Sequence, residues 1–156
     1  MAIGQSRLLW LPPPAVVALA VLLMWLTAQQ AAVWTLHFYG QQLISVLLLL
    51  VGLGLMVLAA GALYRANTTV LPFNPGKTCR LVTGGIFRYS RNPIYLGDLL
   101  LLLAWAVWLG NALSLLWLPL FIGYMNRVQI GAEERALTAR FGAEYLDYCS
   151  RVRRWL

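Results

Sequence analysis

The chain alternates long apolar runs with short polar breaks. Residues 8–36 form the first run, longer than the about 20 residues that a helix needs to cross a bilayer. Pro12, Pro13 and Pro14 are placed for the start of its helix, where missing N–H groups do no harm. Residues 43–63 form a second run that carries no charge. Residues 94–130 are largely apolar again but are broken at Gly110-Asn111, a turn pair, which predicts two helices in a tight hairpin. The first of these is short. The second carries Pro119, which is expected to kink it without unfolding it. The pattern predicts an all-α integral membrane protein with about four transmembrane helices, or five if the first run splits.

Composition agrees. Of 156 residues, 61% are hydrophobic and only 11% are charged, against roughly 25% charged in a soluble domain. The length allows one compact membrane domain, residues 1–156, with residues 8–63 as its N-terminal spans and no separate soluble domain. Residues 1–26 have the basic start and apolar stretch of a signal peptide, but the apolar character continues past Leu26 with no small-x-small cleavage site there, so they are expected to remain as part of the first span.

The net charge of +7 does not indicate nucleic acid, because the basic residues flank apolar runs and form no solvated face. With four crossings, Arg7, Arg65, Lys77, Arg80, Arg88, Arg91, Arg127, Arg135, Arg140, Arg151, Arg153 and Arg154 all fall on one side, while the links at residues 35–42 and at Gly110 hold no lysine or arginine. The positive-inside rule makes that side cytoplasmic, with both termini there and anionic lipid headgroups as partners. A bacterial inner membrane is the expected location. His37 falls on the opposite, uncharged side as an interfacial residue. The seven tryptophans read as interface anchors or packing, and Cys79 and Cys149 lack metal-ligand spacing.

Two segments on the charged side carry polar detail. The link at residues 64–92 is rich in Pro, Gly, Asn and Thr, yet pairs short apolar steps with turn residues, which predicts an ordered connector, re-entrant or packed on the membrane surface, over a floppy linker. In the tail, Leu137, Phe141, Tyr145 and Tyr148 make one apolar stripe of an amphipathic helix. Gly142 in its middle weakens that helix by about 1 kcal/mol and marks a place for a break. Asp98 lies about one turn inside the third span, where a carboxylate is costly, so it is expected to be paired, with Arg91 or a tyrosine as candidates.

No Walker loop, G-x-G-x-x-G or His-Glu-x-x-His is present. The remaining constellation is LVTGGIFRYSRNPIYLG leading into the third span and EERALTARFGAEYLDYCSRV after the fourth. Together these resemble the isoprenylcysteine carboxyl methyltransferase family and its phospholipid N-methyltransferase relatives. That family carries L-V-x-x-G-x-[YF]-x-x-x-R-[HN]-P-x-Y and then E-E-x-x-L-x-x-x-F-G-x-E-Y-x-x-Y. The likeness covers residues 68–154, so residues 64–156 would be the methyltransferase half.

The resemblance implies S-adenosylmethionine bound at the cytoplasmic mouth, with Cys79, Leu81, Val82, Phe87, Asn92, Pro93, Ile94, Tyr95 and Glu133 around it. Cys79 and Asn92 stand where the eukaryotic carboxyl methyltransferases have histidines, and Gln129 stands near an expected substrate-binding arginine. Arg91 and Glu133 would be the catalytic pair, with Arg88 and Gln129 toward the substrate and no metal. The substrate would be a lipophilic acceptor: a prenylated cysteine, a lipid such as an ethanolamine phospholipid, or a small thiol. Methyl transfer from a sulfonium is an in-line displacement in which alignment and electrostatics do most of the work, so the lack of a triad is no objection. An ionised Glu133 has two oxygens for the ribose hydroxyls, Phe87 and Tyr95 can wall the adenine, and Arg88 or Arg91 can hold a carboxylate. Without a ligand, the same residues would serve as headgroup anchors (Arg88, Arg91), a first-turn proline (Pro93) and acids that favour a helix start (Glu133, Glu134). A non-catalytic membrane module would keep the same scaffold.

Overall fold

The computed structural model describes residues 11–66 and 80–156, and among these the chain is helical apart from turns and one isolated bridge, Thr35 to Asn111. Arg7, Lys77 and Cys79 lie outside the described residues, as does most of the expected connector. Helix α1 (Pro13–Gln30) starts where the prolines put it, with extended Pro12 at its N-cap and Pro13 in its first turn. The first apolar run therefore makes one α-helix, followed by a 3-10 turn at Ala32–Trp34. Helix α2 (Gln41–Arg65) follows Gly40, whose φ of 82° suits glycine. Both helices are long and apolar enough to cross a membrane, with mean hydropathies of 1.4 and 2.9.

Helix α3 (Pro93–Leu109) is apolar but shorter, at 17 residues. The turn expected at Gly110-Asn111 is there: Gly110 ends α3 with φ 64°, and the Asn111 side chain accepts from the amides of Leu113 (3.1 Å) and Ser114 (3.3 Å), opening a 3-10 turn at Ala112–Leu116. Pro119 falls in the first turn of α4 (Trp117–Tyr124), where it needs no donor. The departure from α geometry comes later, as a π-helical turn at Met125–Ile130. Helix α5 (Gly131–Phe141) continues from it. Gly142 (φ 52°, ψ −123°) breaks the chain before α6 (Ala143–Arg151), so the tail is two helices.

Small and polar residues set the packing. Gln41 Nε2 donates to the carbonyls of Val107 (2.7 Å) and Trp108 (3.2 Å), and Ser45 Oγ donates to that of Ala104 (2.7 Å). Further along, Gly52 and Gly97 bring the backbones of α2 and α3 together, and a Cβ on Gly97 would lie 2.9 Å from the Gly52 carbonyl oxygen. Such close approach is typical of helices packed in lipid. α1 is tied to the return segment by Ser114 Oγ to Met24 O (3.0 Å), Trp117 Nε1 to Thr27 Oγ1 (2.9 Å) and Gln129 Nε2 to Leu11 O (2.7 Å). These pairings make neighbouring helices run up and down in turn. Val16, Ala20 and Met24 of α1, Leu102 and Ala106 of α3, and Phe121, Met125 and Ile130 form the shared core, while α2 lies outside it and exposes Leu43, Leu50, Val57 and Leu58.

One end of the bundle joins residues 31–41 to the hairpin turn, with Leu36 N donating to Gly110 O at 2.7 Å. The other end gathers the start of α1, the last turns of α2 beside the 3-10 turn Gly85–Arg88, the start of α3, and everything after Ile130. Arg65, Arg88, Arg91, Arg135, Arg140, Arg151, Arg153 and Arg154 belong to that second end, and Arg127 lies in the π turn that leads into it.

Candidate functional site

At the arginine-rich end the two sequence motifs meet. Asn92 is the N-cap residue of α3 and Pro93, fully buried, opens its first turn. The segment before it is locked to the chain terminus. Arg91 N donates to Arg153 O (3.0 Å), and Asn92 Nδ2 donates to Arg154 O (2.9 Å). Arg91 then reaches the tail helices: its Nη1 lies 3.2 Å from Glu134 Oε1 and donates to Cys149 Sγ. Glu134 also receives Arg154, through Nη2 at 2.6 Å and Nε at 3.0 Å. That pairing holds the Arg154 guanidinium above its ordinary pKa, with the Glu134 hydrogen bond as the main cause. Arg154 and Trp155 both donate to Asn126 Oδ1 in the π turn.

Gly142 makes this closure feasible. Its turn sends α6 back over the connector, where the Tyr148 hydroxyl donates to the Phe87 carbonyl at 2.7 Å. Tyr145 and Tyr148 are buried, with ring centroids 6.2 Å apart. Burial pushes the Tyr145 hydroxyl up, and a hydrogen bond with Cys149 adds to it; the Tyr148 hydroxyl is raised to about 12 by burial, against the lowering effect of Arg91.

Glu133, one residue earlier, belongs to a second cluster. The Tyr95 hydroxyl donates to its Oε1. Burial pushes its carboxyl up to about 7; the Tyr95 hydrogen bond opposes this and the neighbouring Glu134 charge adds to it. Its other oxygen has no partner among the described residues. An acid with one free oxygen beside buried Tyr95 fits a ligand that presents hydroxyls.

The residues singled out from the sequence therefore divide. Asn92, Pro93, Tyr95, Arg91 and Glu133 come together, with Phe87 attached through Tyr148. Leu81, Val82 and Ile94 lie half-buried on the same segments, and Arg88 is exposed at the end of its 3-10 turn. Gln129 is buried and spends its amide on Leu11, which ties it to α1 and not to this cluster. Cys79 lies outside the described residues. Asp98, expected to pair with Arg91 or a tyrosine, has no hydrogen-bond or ion-pair partner among the described residues: Arg91 pairs with Glu134 and the Tyr95 hydroxyl with Glu133. Glu134, Cys149, Arg154, Asn126 and Trp155 were not foreseen as partners. The only sequence signal for them was a run of ionisable residues at both ends of the tail.

Residues 40–144 match the phospholipid methyltransferase family. The chain belongs to that family. An uncharacterized protein of Haemophilus influenzae is 51% identical over 63 residues, which are 40% of this chain and the whole of that protein. No solved structure matches. The phospholipid methyltransferase match covers α2 through α5, and so includes both Tyr95 and Glu133. Membership of this membrane methyltransferase family fits the two long apolar helices.

Proposed function

We propose that the protein transfers a methyl group from S-adenosylmethionine to a lipophilic acceptor at the cytoplasmic face of the membrane. The observation that carries this reading is the convergence of the α3 start with the α5 start, through Tyr95 and Glu133, at the end of the bundle that holds the arginines. The cofactor supplies an activated methyl group. Glu133 would bind its ribose, Phe87 and Tyr95 would flank its base, and Asn92 and Pro93 would shape the backbone around it. Arg91, already held by Glu134, would contribute positive charge and fixed position for a carboxylate.

The four-crossing topology is part of the proposal. α1 and α2 have the length for it. α3, at about 1.5 Å per residue, spans roughly 25 Å, and the stretch of residues 112–130, with its 3-10, α and π turns, spans roughly 30 Å. Glu133 and the tail then lie outside the spans, on the cytoplasmic side given by the arginines. The apolar face of α2 is suited to lipid.

A phospholipid amine headgroup is the acceptor we favour, in keeping with the family. A prenylated cysteine carboxylate is the second reading, favoured by the spacing of the two motifs; it needs no base, because it is ionised at neutral pH. Calorimetric titration with S-adenosylhomocysteine tests the core of the proposal. Wild type is expected to bind with about one site, and Glu133→Ala is expected to lose most of the affinity. No heat from wild type would leave a binding or assembly module as the better description. Labelled cofactor with membrane extracts, separated into lipid and aqueous products, identifies the acceptor.

A further inference from the structure

Asp98 is the one acid of the bundle interior that the site described above does not use. It lies on the same face of α3 as Tyr95, one turn further in, and as Leu102, one turn beyond. It is 7% exposed. The hydroxyl of Tyr95 is occupied by Glu133. Arg91, seven residues earlier, is engaged by Glu134 and Cys149. Tyr124 of α4 packs against the core that holds Tyr95 and Leu102, and its buried hydroxyl has no partner among the described residues. A carboxylate at this depth with no counter-charge among the described residues is costly and is by default a functional group.

We infer that Asp98 is the acceptor-side residue, holding the ammonium of an amine headgroup and taking its proton; the inference rests on the methyl-transfer reading above. An ammonium has no lone pair and cannot accept a methyl group. One N–H bond breaks, the proton passes to an Asp98 carboxylate oxygen, and the electron pair stays on nitrogen as the lone pair that would form the new N–CH3 bond, while the S–CH3 bond of the donor would break with its electron pair left on sulfur, giving neutral S-adenosylhomocysteine. The positive charge of the acceptor meets the negative charge of Asp98 in a site that excludes water, where such pairing is strong. An anionic acceptor would be repelled there.

The test compares wild type, Asp98→Asn and Asp98→Glu in nanodiscs of phosphatidylethanolamine or of phosphatidylglycerol, with methyl-labelled cofactor. Wild type is expected to label lipid only in the first. Asp98→Asn is expected to bind S-adenosylhomocysteine as wild type does, to raise the thermal midpoint of the ligand-free protein by removing a buried charge, and to lower methyl transfer roughly 100-fold or more. Asp98→Glu is expected to recover part of the transfer. Unchanged transfer by Asp98→Asn, or labelling of anionic lipid by wild type, overturns the inference and leaves the methyltransferase reading standing. An Asp98→Asn protein that fails to fold also overturns it, because the carboxylate would then have a structural partner. A wild type that binds no S-adenosylhomocysteine overturns the methyltransferase reading, and the inference with it.

Discussion

Arg91, from the segment before α3, and Glu134, from α5, form an ion pair at 3.2 Å with side chains only 14% and 20% exposed. The pair closes the tail over the start of α3, and Glu134 extends it to Arg154. Removing one member of so shielded a pair leaves the other charged and unmatched. Glu134→Gln is therefore expected to destabilise the protein by about 3 kcal/mol, a fall in thermal midpoint of about 6–12 °C for a chain of this length. Combining Arg91→Met with Glu134→Met should recover part of the loss, since the charge then left without its partner is Arg154, which at 36% exposed is partly solvated. Thermal unfolding in detergent reads both. An unchanged midpoint for Glu134→Gln would mean that Arg91 finds its counter-charge elsewhere.

Two glycines on the paired helices α2 and α3 should respond in opposite directions. Gly97→Ala puts a methyl group against the Gly52 carbonyl and the Met56 side chain. Backbone cannot yield as a side chain tip can, so the helices must separate, at about 1–3 kcal/mol. Gly54, on α2, has nothing within 4 Å of an added Cβ. Gly54→Ala should instead gain about 0.5–1 kcal/mol from helix propensity. The two midpoints, measured side by side, check the α2–α3 register directly.

Much of this architecture was legible in the sequence because it is fixed by local chemistry. The start of α1 at the prolines, the hairpin turn at Gly110-Asn111 and the break at Gly142 each follow from what one or two residues do to the backbone. The meeting of the two motifs followed from the hairpin. The partners within the site were not legible, because they depend on rotation about a helix axis. The π turn at Met125–Ile130 hydrogen-bonds in i→i+5 steps and so shifts the phase of everything after it. A 3.6-residue pattern carried from α4 into α5 cannot say which of Glu133 and Glu134 faces Tyr95 and which faces Arg91. Gln129, within the same turn, was likewise expected near the substrate and is bonded to Leu11 instead. The contact of Gly52 with Gly97 leaves no mark in hydropathy.

Gly142 is expected to matter for the site as well as for the fold. Its φ of 52° with ψ of −123° is a conformation that side chains disfavour strongly. Gly142→Ala should cost about 1–3 kcal/mol. If the strain is relieved by straightening, α5 and α6 merge and α6 leaves the connector, with loss of the Tyr148–Phe87 and Cys149–Arg91 contacts. S-adenosylhomocysteine affinity should then fall along with the thermal midpoint. A drop in stability with full affinity would show that α6 does not help to form the binding site.

Glu133 links stability to pH in the direction opposite to a paired carboxylate. Its carboxyl is pushed up to about 7 by burial, so from about pH 4.5 to about 7 the native state holds a proton that the unfolded chain has released. Stability must therefore fall as pH rises through that window and level off above it, by on the order of 3 kcal/mol in total. Glu133→Gln cannot titrate, and the difference between wild-type and variant midpoints, followed from pH 5 to 8, should grow in favour of the variant and then flatten. Ligand binding should run the other way. Ribose hydroxyls donate to a carboxylate, so S-adenosylhomocysteine requires the ionised form, and its affinity at pH 6 should be about tenfold weaker than well above pH 7. The same ionisation that weakens the empty protein thus strengthens the complex, as a buried acid kept for a ligand should behave. A pH-independent affinity in wild type would show that Glu133 does not bind the ribose.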